Sequence, residues 1–425
     1  MAACAEVSKE LYVPASAGVT VWVNQRYLGA GCRREEERKD QRLSGDFHQN
    51  VRRRYSEDNG RTWSDWQPVP DPPMQDGYTL ITCVFATGYD QDAKVTLQAV
   101  FHRLSGGAKN EGVEMWWQHN TKAYADHMFV QSSADDGRTW APMAQLRYQT
   151  GDSFSHANWA AEGFLASNEM YGGYAFARNR DGRMVYPVSV PNVIHHNEDG
   201  SSEQVLGVRC MLGRWDAPQR AYAWEASPEP ITVPHRLSGR GLEEPAIAAL
   251  TNGDLLLSLR GANVCDGPDP WRGTVESPGR AWHAVSRDGG YSWGPVSDLR
   301  YDTGEQFYVP SATARFIRST KTGKLYWLGN IPRARPNGDN YRYPLVLAEV
   351  VETMPALKRD SVVVIEDREP TRQAEIVGFS NFSVLENRET MDLELILPHF
   401  AERGILADGQ LDFSCNTWRY VIRLH

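Results

Sequence analysis

The 425-residue chain sets 45 Lys and Arg against 54 Asp and Glu, a formal net charge of −9. That mixed, net-acidic surface argues against nucleic acid or an anionic membrane as partner, and no stretch approaches the roughly 18 consecutive apolar residues of a membrane helix. With 41% hydrophobic residues the chain can bury a large core, so a soluble globular protein is expected, laid out as a single domain over residues 1–425.

The opening "MAACAEVSKELYVP" has neither a basic start nor a long apolar run, so no secretory signal is expected in it. From there strand signals dominate: "VTVWVNQ" from residue 19, "VTLQAVFHRL" from 95, "HMFVQSS" from 127, "LVLAEVV" from 345, "SVVVIE" from 361 and "RYVIRLH" at the end. These are β-branched or aromatic runs bounded by Gly, Pro, Asn and Asp. One charged stretch, "CRREEERKDQRL" at 32–43, has helix-like composition and reads either as a short helix or as a solvated excursion between strands. Six cysteines are scattered without a C-x-x-C pair, which fits reduced core thiols and no readable zinc or redox motif.

Similar units recur along the chain. "YAFARNRDGRMVYPVSV" (174–190), "PAIAALTNGDLLLSLRG" (245–261) and "PSATARFIRSTKTGKLYWLGN" (310–330) each place two apolar runs around a turn sequence. Groups of this kind begin near residues 19, 79, 154, 245, 310 and 377. Repeated four-stranded sheets predict an all-β fold, a β-propeller of six blades, with a seventh left open by the weakly patterned segments 26–50 and 190–205. Ring closure would pair "ELYVP" near the start with "RYVIRLH" at the end.

"SEDNGRTW" (56–63), "SADDGRTW" (133–140) and "SRDGGYSW" (286–293) are three versions of one turn. The Asp can accept backbone N–H bonds and the Gly supplies permissive dihedrals, which makes the turn a scaffold element. The pattern S-x-D-x-G-x-T-W resembles the Asp-box of the sialidase-like (BNR-repeat) β-propellers, and the resemblance extends over most of the chain. In that family the box lies on the rim away from the substrate. "EPAIAALTNGDLLLSLR", from Glu244 to Arg260, resembles the sialidase segment in which a glutamate partners the nucleophile and an arginine clamps a substrate carboxylate. Arginine suits that clamp because its planar fork meets both oxygens. Arg342 in "NYRYPLVLAEV" resembles a later clamp arginine.

Elsewhere the chain departs from the family. "NFSVL" puts Phe382 where sialidases carry a nucleophilic tyrosine, and "LYVP" puts Tyr12 where they carry their first clamp arginine. The family's acid/base Asp maps to "GDFHQNVRRR", making Asp46 a candidate, with His48 beside it. Without the tyrosine the usual retaining route is closed, and sialidase-like propellers that act on uronic-acid glycans with histidine become relevant. His156 in "SFSHANW" and Tyr308 in "EQFYVPS" stand where an innermost strand is expected to begin, suited to base and acid of an elimination. Glu162 in "AAEGF" sits in its repeat as Glu244 does in its own. His195, in the "NVIHHNEDG" loop, offers a substrate contact or, with its neighbours, a divalent-cation site, though no cofactor is required.

The expectation is an exo-acting carbohydrate enzyme cleaving at or next to a carboxylated sugar of an acidic oligo- or polysaccharide. A non-standard glycoside hydrolase leads. A uronate lyase and a non-catalytic glycan-binding propeller are the alternatives.

Overall fold

The computed structural model describes residues 5–42, 48–70, 79–105, 124–155, 161–262, 279–336, 338 and 340–425. Six antiparallel sheets follow one another along the chain as the blades of a propeller, which settles the blade number at six. Each innermost strand leads its blade: Thr20–Tyr27, Thr79–Asp90, the paired short strands Tyr171–Gly172 and Ala177–Arg178, Leu242–Ala249, Arg315–Arg318 and Ser383–Glu386. The ring closes as expected. Ala5–Val13 adds the outermost strand to blade six, in register with Thr417–Leu424 from Ala5 opposite Leu424 to Val13 opposite Thr417.

Apolar side chains fill the gaps between most neighbouring blades. Leu97, Phe101 and Met128 of blade two meet Tyr186, Val188 and Met211 of blade three, and Tyr326, Leu328 and Leu347 of blade five meet Phe379, Leu395 and Tyr420 of blade six. Between blades six and one the apolar cluster shrinks to Val19, Val21, Val23 and Ile396 with a few neighbours.

There the charged stretch at 32–43 takes over, and it is neither helix nor solvated. Arg34–Gln41 is the second strand of blade one, with Glu35, Glu36 and Glu37 almost completely buried. Cross-strand register explains how so many charges tolerate burial: Glu35 lies opposite Arg26 on one side, while Glu36 and Glu37 lie opposite Arg54 and Arg53 on the other. Opposite charges facing each other across a ladder stabilise the pairing, and each buried carboxylate has a guanidinium to offset its desolvation.

The three repeated turns share one network. Asp58 accepts from the Thr62 N–H at 2.8 Å and the Thr62 hydroxyl at 2.6 Å, and Ser56 Oγ accepts the Gly60 N–H at 2.8 Å. Asp135 and Asp288 repeat these contacts in blades two and four. Each turn also touches the first hairpin of the preceding blade: Asn59 bonds Asn387, Gly137 packs on Leu28, and the Gly289 carbonyl accepts from Asn179. Gly137 has φ +74°, and a Cβ there would come within 2.8 Å of Leu28, so glycine is required twice over. Ser286 pairs at the Leu255 end of its blade, whereas Arg260 pairs at the opposite end, so the turns and the Glu244–Arg260 pair occupy opposite faces of the ring.

Candidate active site

A cavity of about 870 Å³ runs along the propeller axis, walled by innermost strands and the segments that enter them. Its blade-four wall is built by a bulge. Glu243 pairs with Arg260, the register then shifts before Ala246, and Glu244 takes a left-handed backbone at φ +44°. Successive residues of a regular strand point to opposite faces, whereas the bulge turns both carboxylates toward one arginine. Arg260 forms a close ion pair with Glu244 and lies 3.4 Å from Glu243, which Arg240 also approaches at 3.6 Å. The strained backbone is held by the Glu244 N–H donating to Ser189 Oγ at 3.1 Å.

Blade three contributes a phenol. Tyr174 Oη donates to Glu244 Oε1 at 3.2 Å, and the Tyr171 hydroxyl lies 3.4 Å from that of Tyr174. Over the Tyr174 ring, 3.5 Å from its centroid, sits the guanidinium of Arg315 from blade five, which is 5.8 Å from the Phe382 ring. Burial, then the charge of Glu244, holds the Tyr174 phenol above its ordinary pKa, with Arg315 opposing. Burial likewise lowers the pKa of Arg315. Among the described residues no carboxylate lies within ion-pair distance of Arg315. Arg342 also lines the cavity, donating to the Ser311 carbonyl at 2.6 Å and to Ser380 Oγ at 3.3 Å.

No protein-family model matches the sequence, and no curated protein matches it. Solved structures do. NanB sialidase from Streptococcus pneumoniae superposes with a TM-score of 0.59 over 98% of this chain and 70% of that one, at 12% identity. Trypanosoma rangeli sialidase gives 0.55 over 98% of this chain at 13% identity, the match spanning 59% of its own length. The intramolecular trans-sialidase from Ruminococcus gnavus, solved with oseltamivir carboxylate, gives 0.53 over 97% of both chains at 11% identity. The chain has the six-bladed β-propeller fold of these sialidases. At such low identity the likeness carries the fold, and the chemistry has to be argued from this chain's own side chains.

Within this ring the motif residues divide. Glu244, Arg260, Arg342 and His48 all line the axial cavity, as does Phe382. Arg260, however, is engaged by two glutamates and is the electrostatic partner of Glu244 more than an open clamp. His48 stands edge-on to Trp22, with ring centroids 6.4 Å apart. Burial, together with the nearby charges of Lys39 and Arg103, holds its imidazole well below the usual pKa, so it is neutral at physiological pH.

Two expectations fail on position. Tyr308 does not begin an innermost strand: that strand starts later, at Arg315, and Tyr308 lies in the approach to it, stacked under Arg280 at 4.7 Å and outside the cavity wall. His195 is not in a loop but near the end of the strand Met184–His196, bonded to Thr232 Oγ1 at 2.8 Å and away from the axis. Its neighbour His196 faces Ser202, as alternation requires. Tyr12 lies on the ring-closing strand and bonds Glu36, not the cavity. Asp46 and His156 lie outside the described residues, as does the side chain of Glu162, whose backbone opens the helical turn Glu162–Leu165.

Tyr174, Tyr171 and Arg315 were not singled out by any motif. Their signal was positional: Tyr174 opens the "YAFARN" hairpin and Arg315 the "RFIR" strand, both at entries to innermost strands. Among the described residues no three His, Cys, Asp or Glu side chains are placed to share a metal ion, Cys32, Cys83, Cys210 and Cys415 are unpaired, and no helix is long and apolar enough to cross a membrane.

Proposed function

We propose that this protein is an exo-acting glycosidase that cleaves next to a carboxylated sugar of an acidic glycan. The observation that carries the reading is the Tyr174–Glu244–Arg260 chain in the wall of the axial cavity, with Arg315 and Arg342 beside it. Arg315 and Arg342 receive the sugar carboxylate, for which paired guanidinium forks are the fitting hosts. Tyr174 supplies the phenol that Phe382 lacks. As its Oη bonds to the anomeric carbon, its proton passes to Glu244, which the ion pair with Arg260 holds in place. The glycosidic C–O bond breaks with its electron pair going to the leaving oxygen, protonated by a general acid for which Asp46 is the sequence candidate. The deprotonated acid then takes a proton from water, whose oxygen bonds to the anomeric carbon as the tyrosyl C–O bond breaks, and Glu244 returns its proton to the Tyr174 oxygen. No cofactor enters the scheme.

A second reading, uronate elimination, is supported by His48. A neutral imidazole in the cavity wall is competent to take the proton adjacent to a carboxylate, with Tyr174 protonating the leaving oxygen. Incubation with acidic glycans separates the two. Reducing ends without ultraviolet absorbance of an unsaturated uronate are expected. Absorbance rising with the reducing ends would replace hydrolysis by elimination, and binding without either signal would make the protein a lectin.

A further inference from the structure

We propose that the arginine–tryptophan cluster where blade one meets the ring-closing strand is a second binding site, which takes an anionic group of a long acidic glycan whose end occupies the axial cavity. Its core is one indole surrounded by three cations: the guanidinium carbons of Arg54, Arg38 and Arg52 lie 4.5, 4.7 and 5.5 Å from the centroid of Trp66. Tyr12, on the ring-closing strand, stacks with Arg38 at 5.2 Å, and Trp63 with Arg54 at 4.7 Å.

Charge in the cluster is not balanced. Among the described residues Glu36 is the one carboxylate within ion-pair reach of the three, 3.0 Å from both Arg38 and Arg54. Its other oxygen is taken by Tyr12 and by Gln25, so it has nothing left for Arg52. Three positive charges therefore face one negative charge, and the buried Nε atoms of Arg52 and Arg54 have no hydrogen-bond partner. On a chain of net charge −9 such a cluster is not a by-product of overall basicity. A carboxylate or sulfate fits it, because the weakly hydrated guanidinium fork binds planar and tetrahedral oxyanions while still stacked on an aromatic face.

One strand connects the cluster to the cavity wall. Arg52 and Arg38 pair near the end of the blade where the strand Gln49–Ser56 begins, immediately after His48, which lines the cavity. The identity of the ligand rests on the proposed function; the charge imbalance does not.

The test uses a long oligogalacturonate and galacturonic acid monomer as probes, with calorimetric titration of the wild type, Arg52→Gln and Arg52→Glu. Arg52→Gln should weaken binding of the long chain about fivefold, with Arg52→Glu worse. Monomer binding and cleavage of short substrates should be unchanged in both, and matching circular dichroism spectra and Tm values would confirm that the variants fold. Cleavage by the wild type with equal chain affinity in all three proteins overturns the second site and leaves the proposed function standing. Arg52-dependent chain binding without any cleavage does the reverse. If inorganic sulfate displaces the chain at equal anion concentration, the cluster is a simple anion site and the glycan assignment falls.

Discussion

Tyr174 and Glu244 come from different blades, and their meeting is what gives the cavity chemical potential. A phenol hydrogen-bonded to a carboxylate has a place to send its proton, and a guanidinium 3.5 Å over its ring stabilises negative charge developing on the oxygen. In the resting state burial and Glu244 keep the phenol protonated, and in the proposed hydrolysis Glu244 takes that proton as the substrate reacts. Tyr174→Phe removes one oxygen and keeps the ring under Arg315. It should reduce kcat by about 100-fold or more while leaving KM within about threefold. Steady-state kinetics on whichever acidic glycan the wild type cleaves decides the matter, and a variant with wild-type kcat would remove Tyr174 from the mechanism. Glu244 and Arg260 were legible beforehand because one contiguous hairpin carries them. Tyr174 and Arg315 were not, because their roles arise from the closure of a ring that brings blades three, four and five to one axis. Tyr308 and His195 misled for a related reason: a hydroxyl or imidazole near a strand boundary is common, and one or two residues decide which way it points.

At the scale of the element, the second strand of blade one is the clearest case of tertiary context overriding composition. "REEERKDQ" has no apolar face, so neither period 2 nor period 3.6 marks it in isolation. Its charges become meaningful only beside its neighbours, where Arg26, Arg53 and Arg54 complement Glu35, Glu37 and Glu36. Glu37 shows the energetics. Burial pushes its carboxyl upward, but Arg26, Arg53 and Lys39 outweigh that and hold it at about 2. A depressed carboxylate contributes stability that is complete above its unfolded value of 4.5 and is lost as pH falls toward 2. Arg53 lies 2.9 Å from Glu37 and Arg26 3.4 Å. Glu37→Gln would leave two buried guanidiniums short of a counter-charge, at a cost of about 3 kcal/mol in unfolding free energy. Urea titration measures this directly. A loss below about 1 kcal/mol would mean that the strand is held by its backbone ladder and that the charges are dispensable. The repeated turns, by contrast, were readable from sequence because every bond of their network is local.

For the whole molecule, six blades were countable because each carries its own turn chemistry and hairpin, and closure was readable because an isolated strand at each end needs a partner. What the sequence did not disclose is the lock beside that closure. His399 is buried in blade six. Its Nε2 lies 2.8 Å from Tyr420 Oη and 3.5 Å from Glu366 of blade five, and its Nδ1 lies 3.6 Å from Glu402. Lys9 on the ring-closing strand reaches the same Glu366 at 2.7 Å, so one cluster ties both chain ends to the last two blades. Burial disfavours the charged imidazole, but hydrogen bonds and charge from Glu366 and Glu402 prevail, and the pKa of His399 stands above its ordinary 6.5. A raised pKa contributes stability that is complete below the unfolded value and is lost as pH climbs through the folded one. The wild type should therefore lose unfolding free energy from about pH 6.5 upward, by no more than about 1.4 kcal/mol per pH unit for one proton. His399→Gln cannot titrate. Whatever its absolute stability, its unfolding free energy should lack this component between about pH 6 and pH 9, a window set by the histidine and lysine ranges. Denaturant titrations of both proteins across the window supply the comparison, and parallel curves would show that the cluster holds the ring closed without sensing protons.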